Sequence, residues 1–379
     1  MTVANNSAAM RESNQRRIVN LIRQKPMSRA DIARETGLSR AAVTILTDSL
    51  INDGIVINGE AVKSESGRRP TLLRLNPCAF LSVGVDLCRE GCEVLICDFS
   101  GNKILEAHVP YMETADQTVV RVCNDILEAR RALSFSAPVL GVCVCAPGPI
   151  DSVGGEILTP SGLSLFHNYN VKRAFSERLD LPVYLEKDTN VLALAEKNRE
   201  GVSGDLMLLL ADHGIGCAFV KDGHLFCGRD GMGGELGHTT VDVNGPLCPC
   251  GNVGCAELYA SIPATVKGSG ADDWDHLIND AKSGEEKALF ALREQGRILS
   301  SLCITAANVF EPDTIVLGGR LSDAEFILKE IIQNALDRAA FSRNMHRFRV
   351  QFSRLGEHAR AYAAAITAIE YYFNGGTHL

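Results

Sequence analysis

Four side chains in one short stretch carry the most specific chemistry of the chain: His238, then Cys248, Cys250 and Cys255 in the pattern C-x-C-x4-C. Three thiolates and one imidazole complete a tetrahedral zinc set. A set that leaves no open position suits a structural rather than a catalytic ion. Gly245, Gly251 and Gly254 let a short loop fold back around such an ion without steric cost. The alternative is three free cysteines in a glycine-rich loop. Two carboxylates, Glu235 and Glu257, flank the loop too closely to belong to an ordinary solvated face.

Taken together, G-E-L-G-H at 234–238 and C-x-C-G-x-x-G-C-x-E at 248–257 resemble the signature of the ROK family of repressors and sugar kinases. The resemblance implies that zinc holds a loop presenting Glu235, His238 and Glu257 to sugar hydroxyls. Carboxylates and a neutral imidazole suit that task, because a sugar offers donors and acceptors at fixed angles. The resemblance also places Asp188, in L-E-K-D-T-N-V-L, at the family's catalytic aspartate, the base that accepts the hydroxyl proton. Read from the residues alone, Asp188 is equally a helix cap for 190–198.

Composition bounds the rest. With 379 residues, 46% hydrophobic and 22% charged, the chain is globular and long enough for more than one domain. The net charge of −8 is uneven: residues 1–80 balance at +5 and the remainder at −13. A basic head on an acidic body points to a nucleic-acid contact confined to the head. The 13 cysteines are odd in number, and several, such as Cys143 and Cys145, sit in apolar runs. They read as small buried hydrophobes in a reducing compartment rather than as a disulfide framework. Neither a secretory signal nor an apolar run of membrane-spanning length is present in the sequence, so a cytoplasmic protein is expected.

In the head, residues 1–12 read as polar and loose. Ile18, Leu21 and Ile22 mark a first helix, and Ser28 starts a second that stops at Gly37. A third begins at Ser39, buries Val43, Leu46 and Leu50, and stops at Gly54. This is helix-turn-helix spacing. Ile55–Ile57 and Thr71–Leu75 read as a two-stranded wing with Arg68 and Arg69 at its tip, resembling the winged heads of ROK repressors. The third helix would present Ser39, Arg40, Ala42 and Thr44 to the major groove. Arg68 and Arg69 would reach the backbone or minor groove, and Lys25, Arg29 and Arg34 would contact phosphates.

The body reads as two β-rich halves. Strands are expected at 81–87, 92–99, 103–111, 139–146 and 182–187, then again at 205–211, 216–220, 224–227 and 314–317. The fold class is α/β: a winged helix-turn-helix over 1–80, then a ligand-binding and oligomerisation domain over 81–379 in two lobes, about 81–190 and 191–379. The resemblance implies a duplicated actin-like, ribonuclease-H-like sugar-kinase fold with the zinc-bound loop. It also makes Gly214-Ile215-Gly216 a second phosphate loop and sets Gly318-Gly319 behind a nucleotide. Tight strand-end turns explain both glycine motifs equally well.

The departures from that pattern decide the function. Family kinases open with D-x-G-G-T-K; here Asp86 is followed by Leu87, Cys88, Arg89 and Glu90, so the glycine pair and threonine are absent. Side chains there would crowd a phosphate, and Glu90 would repel it. Lys187 replaces the asparagine usual before the catalytic aspartate, read as a milder change. Ser161 stands where kinases carry a sugar-binding asparagine, with Asn168 nearby. The reading is a sugar- or sugar-phosphate-responsive regulator of carbohydrate genes, released from operator DNA by its ligand, with Asp188 a vestigial base. ATP and Mg2+ are not expected, and a homodimer or homotetramer is. The alternative is an active ATP-dependent sugar kinase with an appended DNA-binding head. A third possibility is a body that serves only as a zinc-held dimerisation scaffold.

Overall fold

A computed structural model describes residues 3–61, 71–133, 137–158, 163–197, 199, 201–229, 231–356 and 358–373. The chain forms two compact units. One holds Met1–Cys145, Asn170–Leu185 and Ala364–Thr377; the other holds Ala146–Tyr169, Glu186–Ala363 and His378–Leu379. Chain order alone suggested a lobe division near residue 190. The units interleave instead, because the end of the last helix, Ala359–Phe373, returns to the first.

The head follows from its caps. Ser28 accepts from the Asp31 amide and starts helix Arg29–Thr36, which ends at Gly37 with φ +71°. Ser39 accepts from the Ala42 amide and starts helix Arg40–Asn52. Each side-chain oxygen satisfies an amide that the first turn leaves without a partner. Val43, Leu46 and Leu50 form the buried stripe of the second of these helices, as their spacing predicts. Val56–Ala61 pairs antiparallel with Thr71–Leu75 to make the wing. Met27–Ser28 adds a third short strand, which no two-residue sequence signal could reveal. The expectation of a loose start fails: the first helix runs Val3–Gln24. No glycine or proline interrupts 3–24, and a Glu12–Arg16 pair four residues apart supports it.

The rest of the first unit is a five-stranded sheet with strand order 183–187, 139–146, 81–88, 91–98, 103–109. The first three strands in sequence, from 81 to 109, form an antiparallel meander. Strand Val139–Ala146 then lies parallel to Leu81–Cys88, reached through helix Ala115–Ala132. Val139–Ala146 is buried at every position, as a strand covered on both faces must be.

The second unit repeats this order: 349–352, 314–319, 206–211, 215–221, 224–225. Leu206–Ala211 is antiparallel to Ile215–Lys221 and parallel to Thr314–Gly319. The same strand order in both units bears out the duplicated α/β fold. Helices Trp274–Ser283, Glu286–Phe310 and Glu325–Ala339 cover one face with a core including Trp274, Leu292, Leu299, Leu328 and Ile332. Among the described residues no helix is long and apolar enough to cross a membrane.

Candidate metal centre and ligand site

The four sequence-singled ligands converge. One donor atom each from His238, Cys248, Cys250 and Cys255 lies within 4.8 Å of all the others. Cys250 Sγ and Cys255 Sγ are 3.7 Å apart, and Cys248 Sγ is 3.8 Å from His238 Nδ1. A tetrahedral zinc with bonds of about 2.3 Å has edges of about 3.8 Å, so these spacings fit the ion. The crowding supports the same conclusion. Burial, then the neighbouring Cys248 and Cys250, pushes the Cys255 thiol up to about 12. A cation among the three sulfurs removes that cost by holding them as thiolates.

The backbone builds this cage. The Cys248 amide donates to Asn252 O at 2.7 Å, and the Gly251 amide returns to Cys248 O at 2.9 Å. Asn252 Nδ2 donates to His238 O at 2.9 Å, joining the two ends of the ligand set. Gly254 has φ +62°, and a Cβ there would run into the Asp242 carbonyl. Only glycine satisfies both conditions.

His238 Nδ1 faces the thiols, which leaves Nε2 on the opposite edge of the ring. Glu235 begins the 3-10 turn that ends in His238. Its carboxylate forms an ion pair with Lys187 Nζ, and the Lys187 side chain is 5% exposed. The sequence reading treated Lys187 as a mild replacement. Instead it neutralises one of the carboxylates expected to meet the ligand.

Glu257 starts a short helix, and its Oε2 accepts from the Ile215 amide at 2.9 Å. A Cβ on Gly214 would strike that same oxygen, one on Gly216 would strike Thr189 Cγ2, and one on Gly237 would strike Ile215 O. Close approach by Glu257, Thr189 and the 235–238 turn therefore explains glycine at these positions without a phosphate. The same holds for Gly319, with φ +63° and the Leu210 side chain 2.7 Å from a would-be Cβ.

Asp188 stands where strand Val183–Lys187 runs directly into helix Asp188–Lys197. Its Oδ1 accepts from the next amide, Thr189, at 2.7 Å. Arg360 lies between two aspartates, with Nε 3.7 Å from Asp188 Oδ2 and NH2 3.0 Å from Asp212 Oδ2. Burial nevertheless outweighs Arg360 and raises the Asp188 carboxyl above its usual range. Asp188, Glu235, His238 and Glu257 thus border the 214–216 turn, directly or through their neighbours. Arg360 and Asp212 were missed because no local pattern links positions so far apart in sequence.

The strand end where the family pattern puts its phosphate-binding glycines and threonine forms a tight hairpin. Cys88 pairs with Gly91, which leaves Arg89 and Glu90 as a two-residue turn, and both are exposed. The Tyr111 hydroxyl donates to the Cys88 carbonyl and pins that turn.

In the head, Ser39, Arg40 and Thr44 are exposed. Ala42 is half-buried, and Ala41 and Ile45 share the exposed face instead; Ile45 is 64% exposed. Helical rotation places 40, 41, 44 and 45 together. Arg29 is not free for a phosphate, since it donates to Thr47 Oγ1 and Asp48 Oδ1 and ties two helices together. Arg34 pairs with Asp31. Arg68 and Arg69, and Ser161, lie outside the described residues.

A winged helix-turn-helix joined to a duplicated sugar-kinase-like body with a Cys3His loop defines the class. The winged helix-turn-helix DNA-binding family matches residues 11–57. The ROK family matches residues 82–370, and the chain belongs to it. It is 25% identical over 382 residues to the xylose repressor of Bacillus subtilis, covering 99% of each chain. It is 28% identical over 335 residues to the DNA-binding transcriptional dual regulator NagC of Escherichia coli, covering 83% of this chain and 82% of the relative. Among solved structures, a ROK family transcriptional regulator described as a homologue of the Escherichia coli Mlc protein superposes with TM-score 0.83 at 24% identity, covering 97% and 98%. A ROK hexokinase from Thermus thermophilus superposes with TM-score 0.69 at 26% identity, covering 78% of this chain and 100% of the hexokinase.

Proposed function

We propose that the protein is a sugar-responsive transcription regulator that represses carbohydrate uptake or catabolism genes and leaves its operator when ligand binds. One contrast carries the reading. The chain keeps an exposed reading helix, while the turn where the family's kinases carry a glycine pair and a threonine for the phosphate holds the side chains of Arg89 and Glu90. The relatives named as repressors support it. We take residues 1–80 as the DNA-binding domain and 81–379 as the ligand-binding and oligomerisation domain.

In the head, Ser39, Arg40 and Thr44 read or flank base edges, Ile45 offers an apolar contact to a thymine methyl, and Arg68 and Arg69 extend the contact from the wing. In the body, Glu235, His238 Nε2, Glu257 and Asp188 take sugar hydroxyls. His238 Nδ1, Cys248, Cys250 and Cys255 would hold zinc, which fixes the loop and supplies no reactive position. Asp188 retains the place of a base, but with Arg360 beside it and the D-x-G-G-T-K pattern absent from the chain, turnover is not expected. Two heads in a homodimer or homotetramer would read paired half-sites in cytoplasmic DNA.

The test is fluorescence anisotropy on DNA from the gene's own upstream region at fixed salt, since phosphate contacts make affinity strongly salt-dependent. The panel is D-xylose, D-glucose, N-acetyl-D-glucosamine and the 6-phosphates of the last two. Release by one member bears out the reading. DNA binding indifferent to all of them, together with ADP release in a coupled kinase assay, would replace it with the kinase reading.

A further inference from the structure

The last helix, Ala359–Phe373, which brings Arg360 to Asp188, holds ion pairs in different compact units at its two ends. Near its start, Arg360 bridges Asp212 and Asp188, at 3.0 Å and 3.7 Å. Near its end, Glu370 Oε1 meets Arg23 NH2 at 2.5 Å, with side chains 6% and 14% exposed. Arg23 belongs to the first helix of the DNA-binding head. The residues around Glu370 are anchored as firmly. Tyr371 packs edge-on against Tyr184, in the strand that leads to Lys187 and Asp188, and Tyr372 lies against Phe80, where the head joins the body. Glu370 follows Arg360 by ten residues, or about 15 Å of helix rise.

We propose that Arg360 is a ligand-sensing positioning residue and that this helix transmits its state to the head through the Glu370–Arg23 pair. This rests on the reading of Asp188 as a ligand contact. A sugar hydroxyl that donates to Asp188 competes with the Arg360 guanidinium for the same carboxylate. The ligand then has different interaction free energies with the two placements of Arg360, which is what a population shift requires. A rigid helix carries the displacement, because packed elements switch between arrangements rather than deform. Glu370–Arg23 is a sensitive terminus, since the attraction in a nearly buried ion pair is little screened by water and changes steeply with distance.

The test uses the full-length protein, its upstream DNA and the sugar panel above. Wild-type anisotropy gives the ratio of DNA dissociation constants with and without each sugar, and calorimetry gives sugar affinity. Glu370→Gln is expected to keep sugar affinity within about threefold while the release ratio falls at least fivefold. The double exchange Arg23→Glu with Glu370→Arg should restore part of the ratio. An unchanged ratio in Glu370→Gln overturns the transmission. Hydrogen exchange on the wild-type protein gives a second arm that needs no variant. Sugar should change protection in both 359–373 and 15–24, and change in neither overturns the proposal. A panel that leaves wild-type DNA affinity unmoved defeats ligand control itself, and transmission with it. Sugar release that persists unaltered in Glu370→Gln defeats transmission alone.

Discussion

At the residue scale, the two nitrogens of His238 face different surroundings. Nδ1 faces the thiols at 3.8 Å from Cys248 Sγ, which directs the other nitrogen away from them. Replacing Cys250 by Ser should therefore remove the metal, and metal analysis should fall from about one ion per chain to near none. Ligand response should be lost more than DNA affinity, because the cage positions Glu235 and Glu257 and not the reading helix. Asp188 gives a prediction with a definite sign. Its folded-state carboxyl is raised by burial, so the folded state holds its proton more tightly than the unfolded chain. Stability is then lost as pH rises above the unfolded value of about 3.9. Asp188→Asn should melt above wild type at pH 7, and thermal scans should show the gain vanish toward about pH 4. In the head, Arg40→Ala should relax base preference at one position, at a cost of about 1–3 kcal/mol for the preferred sequence. A uniform loss over all DNA sequences would make Arg40 a phosphate contact.

At the element scale, caps and glycines decide where the functional pieces begin. Ser39 is both the N-cap of the reading helix and an exposed candidate for DNA. Ser39→Ala should cost roughly 1 kcal/mol of stability through the cap alone, measured by chemical denaturation without DNA. Within the metal loop, Gly251 has φ +94° with open space around it, whereas Gly254 has φ +62° and faces the Asp242 carbonyl. Gly254→Ala should therefore impair metal retention far more than Gly251→Ala. The candidate ligand set, the helix-turn-helix and eleven of the sixteen described strands were legible in the sequence, because each rests on short-range spacing. Sequence spacing did not foresee that Ala42 is half-buried or that Arg29 is held by the neighbouring helix. Which face of a short helix is open depends on the elements packed against it, and Arg29 is used by Thr47 and Asp48 of the neighbouring helix.

At the scale of the whole molecule, duplication is the organising fact. Two sheets with one strand order each carry, at strand ends, a turn that the family pattern assigns to phosphates. In the first, the Leu81–Cys88 and Gly91–Asp98 hairpin closes over Arg89 and Glu90. In the second, Gly214–Gly216 is packed between Glu257, Thr189 and Gly237. A coupled assay over the sugar panel should show no ADP release above background. Light scattering should report a dimer or tetramer, as two heads on paired half-sites require.

The amino-acid sequence by itself marked the candidate metal ligands and the capped helix-turn-helix, and its resemblance to the ROK family implied the duplicated fold and the departure from the phosphate-binding pattern. Each depends on residue type and local spacing, which survive in one dimension. Only the tertiary structure decided that Lys187 neutralises Glu235, that Arg360 lies between Asp188 and Asp212, and that Glu370 meets Arg23. These are charges brought together by the path of the chain from distant positions, and no periodicity or motif encodes such a meeting.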